Sequence, residues 1–407
     1  MKRHQQGIAT LLITAVLLSI TLVITLGSYK NLFYQIKRAQ NEVSARQSYW
    51  LAEGGVECLY AYIAQDPSRV ASLSYVTNHE LGSICKQPLE LDELYSQALV
   101  NSAYRIYSRA GYSHVNKQFY LHSPGTGAIQ TNANLRLVGS FDIQPEAVGE
   151  ADNDGFYDCI AVRYKYQVEF HPSSGSGLQT QDADAGTKPC KPNSKTSIAG
   201  SREGEFSTKD SPEFKTDFVQ DKHIKPFESY FGLAYTPDNY QKIKSEHYLI
   251  ELNAEKSINC SHVIQQAFES HKKVWLQGDC FINAGFSAPN GRSLVVENGL
   301  FATNGASVYG GAFFHTINPS INRFSDPTQL ALAWQQAPFY EAIKDLLTSN
   351  TVYVDRGAFR PDGGIVFDAD GAETVIGGAF ALHYRSSNNP YERLEILSLQ
   401  QGSWNGY

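Results

Sequence analysis

The chain has one methionine in 407 residues, and only 18 % of its residues are charged. Hydrophobic residues make up 42 %, which excludes a largely disordered chain and supplies a core. A basic excess is missing too: 34 Lys and Arg face 41 Asp and Glu, for a formal net charge of -7. Holding nucleic acid by bulk electrostatics needs clustered cations, so this balance argues against that class. The six cysteines, Cys58, Cys85, Cys159, Cys190, Cys260 and Cys280, are never closer than 20 residues, so no CxxC metal or redox motif exists. HExxH, GxSxG, P-loop and GxGxxG patterns are absent. Scattered Ser, His and Asp residues define no triad, because a triad is a matter of geometry. Nothing positive supports an enzyme.

What is present points to β structure and to a membrane. Tyr (24), Phe (21) and Gly (32) are plentiful, as in strands and turns, and the length predicts two or three structural units. Residues 8–26 hold no charge, enough for a helix to cross a hydrocarbon core of about 30 Å. Their Ser and Thr hydroxyls can bond back to helical carbonyls. Lys2 and Arg3 precede the run, which predicts a cytoplasmic N-terminus and an exported remainder. The run exceeds a secretory signal's apolar region, and no A-x-A site follows Leu26, so a retained anchor is expected.

The helix is predicted to continue beyond the membrane, as 27–66. No proline occurs from Tyr29 to Gln65, and Tyr29, Leu32, Phe33, Ile36, Ala39, Val43 and Trp50 share one face. Gly54-Gly55 is a candidate bend and Asp66-Pro67 a candidate stop.

A basic leader ending in Gly7, followed at once by the apolar run and an amphipathic helix, resembles a type IV prepilin signal. The segment Arg46-Gln-Ser-Tyr-Trp-Leu-Ala-Glu-Gly-Gly-Val-Glu57 resembles the corresponding stretch of PilX-type minor pilins. The K-type pseudopilins of type II secretion are similar. The resemblance covers about residues 1–65. It implies cleavage by a prepilin peptidase between Gly7 and Ile8, N-methylation of Ile8, and a 1–7 leader. Two departures from the major-pilin pattern stand out: Ile8 replaces Phe at the first mature position, and Leu12 replaces Glu at the fifth. A carboxylate in lipid is costly until paired, so it helps recruit a subunit to one already in place. A subunit with no predecessor loses nothing by carrying Leu. The resemblance therefore implies a non-enzymatic minor pilin that initiates assembly at or near the fibre tip. It also implies a single-pass inner-membrane precursor with a periplasmic head, whose partners are other pilins and the assembly platform. The alternatives are a tip-located binding module (adhesin or DNA-uptake subunit), a type II pseudopilin and an envelope protein unrelated to fibres.

The remainder predicts an α+β protein. Residues 67–170 read as a pilin-like head with an antiparallel sheet, holding a helix at Leu91–Tyr104 and strands at Leu135–Val138 and Ile160–Phe170. Residues 171–216, rich in Ser, Gly, Lys, Asp and Pro, read as a polar linker. Residues 217–407 read as a distal β-rich domain with a helix inserted at 327–347, capped by Asp326-Pro327 and broken at Pro338. Ser307–His315 resembles Thr374–His383, and short strands alternate with Asn-Gly or Asp-Gly turns, which suits a β-solenoid or a sandwich. Six thiols allow 15 connectivities. Sequential pairing (Cys58–Cys85, Cys159–Cys190, Cys260–Cys280) closes the shortest loops and places one bridge in each region.

Candidate chemistry is sparse. Glu150, Asp152, Asp154 and Asp158, with Gly155 at the turn, mimic the front of a calcium loop; Ala161 stands where the bidentate Glu should be, so an acidic turn competes with a Ca2+ site. Asp182-Ala-Asp184 and Asp368-Ala-Asp370-Gly371 read as turns. His315 and His383 hold matching repeat positions and are candidate metal ligands. His271-Lys272-Lys273 beside Trp275 is a candidate stacking-plus-phosphate patch.

Overall fold

The computed structural model describes residues 5–65, 69–70, 73, 82–99, 103–122, 125–173, 177–200, 207–208, 211–305, 307–356, 359–391, 396–399 and 405–406. The protein is α+β, and the chain divides into two units. One combines residues 1–122 with 396–407, and the other is 123–395.

In the first unit, α1 (Gln5–Gln65) is one continuous helix. It precedes an antiparallel meander of β1 (Glu93–Ala98), β2 (Ala103–Ala110) and β3 (Ser113–His122). Strand Ile396–Leu399 adds to β3, so a segment from beyond the second unit completes the sheet begun before it. Ala52, Val56, Leu59 and Ile63 of α1 pack with Ile106, Val115 and Phe119 in one buried core. Gly55 is not a bend. A Cβ there would lie 2.3 Å from Ser108 Oγ and 2.6 Å from Leu91 Cδ1, so the bare glycine lets the helix meet the sheet. The bridge Cys58–Cys85 and the ion pair Lys117–Glu57 fasten the same contact. The candidate stop Asp66-Pro67 lies outside the described residues, and α1 ends at Gln65.

The expected helix at Leu91–Tyr104 is instead β1 and the start of β2. Leu94 and Ser96 are buried on alternate positions, and Tyr95 meets Tyr107 across the pair, with ring centroids 5.0 Å apart. The available sheet partner overrides a weak helical spacing.

The second unit is a parallel β-solenoid. Its first sheet runs, in spatial order, 218–220, 162–164, 129–131, 365–368, 312–316, 293–297, 273–277 and 248–251, with every pairing parallel. The second sheet holds 134–144, 373–383, 351–355, 301–303 and 280–282. The third holds 287–288, 307–309 and 359–361. Chain order and spatial order differ. The chain enters at Ile129–Gln144, winds outward to Phe218–Gln220, then restarts at Tyr248–Glu251 and winds back until Glu373–His383 docks on Asn134–Gln144. Inward rings from the three sheets meet in the interior, as Phe301 does with Phe313 (4.8 Å) and Phe359 (5.3 Å). Ile264, Ala267 and Phe268 of helix Cys260–Ser270 join that cluster, and the bridge Cys260–Cys280 secures the helix.

This redraws the expected boundaries. Residues 129–172 supply solenoid strands rather than an antiparallel head sheet, because their apolar positions are completed by residues 365–383. The 171–216 stretch is not a linker: Leu178–Thr180 pairs with 141–143, Ser197–Ile198 pairs with it in turn, and Cys159–Cys190 ties it down. The inserted helix at 327–347 is Pro327–Trp334, capped by Asp326 Oδ1 on Thr328 N, then a separate turn at Tyr340–Ile343 and a 3-10 turn at Lys344–Leu346. The sequence repeat is not a structural one. Gly310-Gly311 turn a corner between Ser307–Tyr309 and Ala312–Thr316, whereas Gly377-Gly378 lie inside one eleven-residue strand.

Gly139 faces Gly378 in that strand pair. Its φ is +127°, and a Cβ would fall 2.2 Å from Gly378 O. Gly149 has φ +70° with nothing within 4 Å of its Cβ position. Gly149→Ala should cost about 1 kcal/mol from backbone strain, and Gly139→Ala about 3 kcal/mol or more from strain plus collision. Urea unfolding of the two variants checks this, and equal midpoints would refute the close approach.

Candidate functional site

Two features separate α1 from an ordinary core helix. From Ala9 to Gln47 every residue is exposed, including Leu11 at 73 % and Leu12 at 63 %. The polar side chains within the apolar run are spent on the helix itself: Thr14 donates to Leu11 O, Ser19 to Ala15 O, Thr21 to Leu17 O and Thr25 to Thr21 O. Each hydroxyl proton so placed needs no water, which suits a lipid surround. Among the described residues this is the one helix long and apolar enough to cross a membrane. Gly7 and Ile8 lie within it, and Lys2 and Arg3 lie outside the described residues.

Charges begin at Lys30, and Glu42 pairs with Arg46 at 2.8 Å. Trp50 stays 67 % exposed while Ala52, two residues on, is fully buried against the sheet. The helix thus passes from a fully exposed apolar segment through an exposed amphipathic one to a docked one.

The carboxylates of the acidic loop are engaged locally. Asp152 Oδ1 accepts from Asp154 N (3.0 Å) and Phe156 N (2.9 Å), which folds the turn on itself. Asp158 pairs with Lys191 at 2.8 Å, and Glu150 points to solvent. Among the described residues no three His, Cys, Asp or Glu side chains converge as a metal group would need. An acidic turn capping its own amides meets the same sequence pattern without an ion.

The two histidines do not meet. His315 is buried inside the solenoid with Nε2 against Gly299 O at 2.8 Å, whereas His383 is exposed on another strand. The basic patch dissolves likewise. Trp275 is fully buried and donates to Glu297, Lys273 pairs with Glu246, and His271 stacks on Tyr248. All six cysteines are bridged, in sequential pairs.

Sequence reasoning missed Glu297. It accepts from Trp275 Nε1 (2.9 Å), Gln277 Nε2 (2.7 Å), Tyr240 Oη (2.5 Å) and Lys244 Nζ (2.6 Å). Burial pushes its carboxyl up, but the hydrogen bonds from Lys244, Tyr240 and Trp275 outweigh it and hold the group below its ordinary value. The cluster fastens helix Pro237–Ser245 to the first sheet. The only local signal was an acidic residue ending the apolar strand Ser293–Glu297.

No protein-family profile matches the chain, and no curated protein matches it. Among solved structures it is similar to the competence-associated pilin ComZ of Thermus thermophilus, at 10 % identity over 77 % of this chain and 83 % of that one. The TM-score is 0.21, a level that establishes no shared fold.

Burial lowers the pKa of His315 and of His247 to about 4. Unfolding restores about 6.5, so the unfolded state binds more protons between those values. Stability should therefore fall as pH drops from 7 to 5, by about 1.4 kcal/mol per unit for each histidine below pH 6.5. His315→Gln should flatten the slope by about half, and an unchanged slope in urea titrations would contradict it.

Proposed function

We propose that the protein is a non-enzymatic, membrane-anchored minor pilin that helps initiate a type IV fibre. The observation that carries this reading is α1: an exposed apolar segment without charge, continuous with a segment docked on an antiparallel sheet through Gly55. A chain built this way waits in a membrane as a single-pass precursor, then exchanges lipid for the apolar helices of other subunits. In this reading a prepilin peptidase cuts between Gly7 and Ile8, Ile8 is methylated, the N-terminus is cytoplasmic before cleavage, and the second unit is exported. Leu12 at the fifth mature position favours a subunit with no predecessor, hence a place at or near the tip.

A second reading, a binding module, is favoured by the size of the solenoid, which spans residues 123–395. Priming alone needs no such unit. A chromosomal deletion separates the two. Loss of fibres, restored by the wild-type chain and no better by Leu12→Glu, is the outcome expected of an initiator. Leu12→Glu should add a cost of at most about 2.5–3.5 kcal/mol, eased by snorkelling near the membrane edge. Intact fibres with lost attachment or uptake would replace priming with binding, and a subunit enriched along the shaft by Leu12→Glu would overturn the tip position.

A further inference from the structure

The exposed part of α1 carries charge of one sign. Between Ile8 and Asn41 the chain holds three charged residues, Lys30, Lys37 and Arg38, and no carboxylate or histidine. The first acid is Glu42, already paired with Arg46 at 2.8 Å. All three cations are exposed, and among the described residues none forms an ion pair. Spacings of four, seven and eight put Lys30, Tyr34, Lys37 and Arg38 on one side of the helix, lining an open groove with Phe33 and Asn41. Leu32, Ile36, Ala39 and Val43 share the other side, so the cations and the apolar stripe face different surroundings.

Their height along the axis matters as much as their sign. Lys30 follows Leu26 by about 6 Å of helix, within the headgroup layer of roughly 5–8 Å outside the hydrocarbon. Tyr29 and Tyr34, 68 % and 64 % exposed, flank it, as amphipathic rings do at a membrane surface. Lys37 starts about 16 Å beyond Leu26, but side chains on a helix lean toward its N-terminus, here toward the membrane. Its Nζ lies 5.7 Å from the centre of the Phe33 ring, so the ammonium is carried back about one turn. Arg38, one residue on, has a long stem of its own and stays within reach of a surface field that decays over about 8 Å.

We infer that residues 29–38 of α1 bind anionic phospholipid headgroups at the Leu26 end of the membrane segment. Lipid phosphates take the ammonium and guanidinium donors, and the aromatic rings rest at the boundary between headgroups and acyl chains. These contacts set the depth of the helix in the membrane, and they must be released when the subunit leaves it. An acidic protein partner is the lesser fit. At this height the bilayer itself surrounds the helix with phosphate, whereas a partner would have to bring carboxylates into that layer. The inference rests on α1 spanning a membrane and stands whether or not the chain enters a fibre.

The test uses the full chain in detergent micelles mixed with equal amounts of phosphatidylglycerol and phosphatidylcholine, and native mass spectrometry counts the lipids retained. Wild type should retain phosphatidylglycerol in preference, and the preference should shrink as salt is raised. Lys30→Gln, Lys37→Gln and Arg38→Gln together should cut that retention about tenfold or more. Glutamine keeps the helix, and circular dichroism with an absence of free thiols checks the fold. A charge-matched control, Lys222→Gln with Lys242→Gln and Lys272→Gln, removes three exposed lysines of the second unit and should change nothing. Equal retention of the two lipids, an undiminished triple variant, or the same loss in the control would each overturn the proposal. Flotation with phosphatidylcholine vesicles separates it from the anchor reading. A chain that floats without lipid preference refutes the headgroup site alone, and one that does not float refutes both.

Discussion

The contact between the first and last rungs of the solenoid is the constraint on which the larger unit depends. Residues 134–144 and 373–383 run in parallel over eleven register positions. Side chains lock the pairing: Arg136 Nε meets Glu373 Oε1 at 2.9 Å, with both groups mostly buried. Asn132 grips the facing rung with both ends of its amide, donating to Asp368 Oδ1 at 2.6 Å and accepting from Ala369 N at 2.6 Å. Lys165 and Tyr166, one rung further, reach Asp370 at 3.0 and 2.6 Å. A buried ion pair of this kind adds little net stability, yet removing one partner strands a charge, so it selects the register more than it strengthens the fold. Because the unit begins and ends at this seam, its entry and exit strands are neighbours. Adjacent termini are what allow one folding unit to be inserted into another. The chain accordingly leaves the antiparallel sheet after β3 and rejoins it at Ile396–Leu399.

That topology explains which parts of the structure were legible in the sequence. Helix α1 was readable because nothing interrupts it: no proline occurs before Gln65, and the uncharged run passes directly into a segment with one apolar face. The short strands between Asn-Gly or Asp-Gly turns were readable as apolar runs near 294–297, 300–302, 352–354 and 365–367, where the structure has Ser293–Glu297, Phe301–Thr303, Thr351–Asp355 and Ile365–Asp368, and Asp326 was readable from its capping position. The seam was not. Asn134 and Glu373 pair across a separation with no local signature, so strands 129–172 had to look like part of whatever preceded them. Leu91–Tyr104 misled for a related reason, since its spacing suits a helix until β2 offers Leu94 and Ser96 a partner. The acidic loop and the paired histidines were ambiguous at the level of chemistry. Identical residue patterns serve amide capping and core packing, and spacing alone does not separate these from metal binding.

Each unit has a physical task that the other does not share. In the first, apolar surface that would be costly in water is left uncovered along α1, and its hydroxyls are satisfied internally, so lipid or other helices are its natural surroundings. In the second, apolar surface is concealed on two faces by helices 226–245 and 322–346. The three disulfides are distributed accordingly, one fastening α1 and two inside the solenoid, as suits an oxidising compartment.

The account turns on α1 being a processed fibre-subunit helix rather than a plain anchor. The measurement that tests this most directly is mass spectrometry of the N-terminal peptide of the chain recovered from its native membrane. The account predicts a chain beginning at methylated Ile8, with Lys2 and Arg3 removed and the formal charge moved from -7 to -9. A peptide that still begins at Met1, or one cut after residue 26, would contradict it.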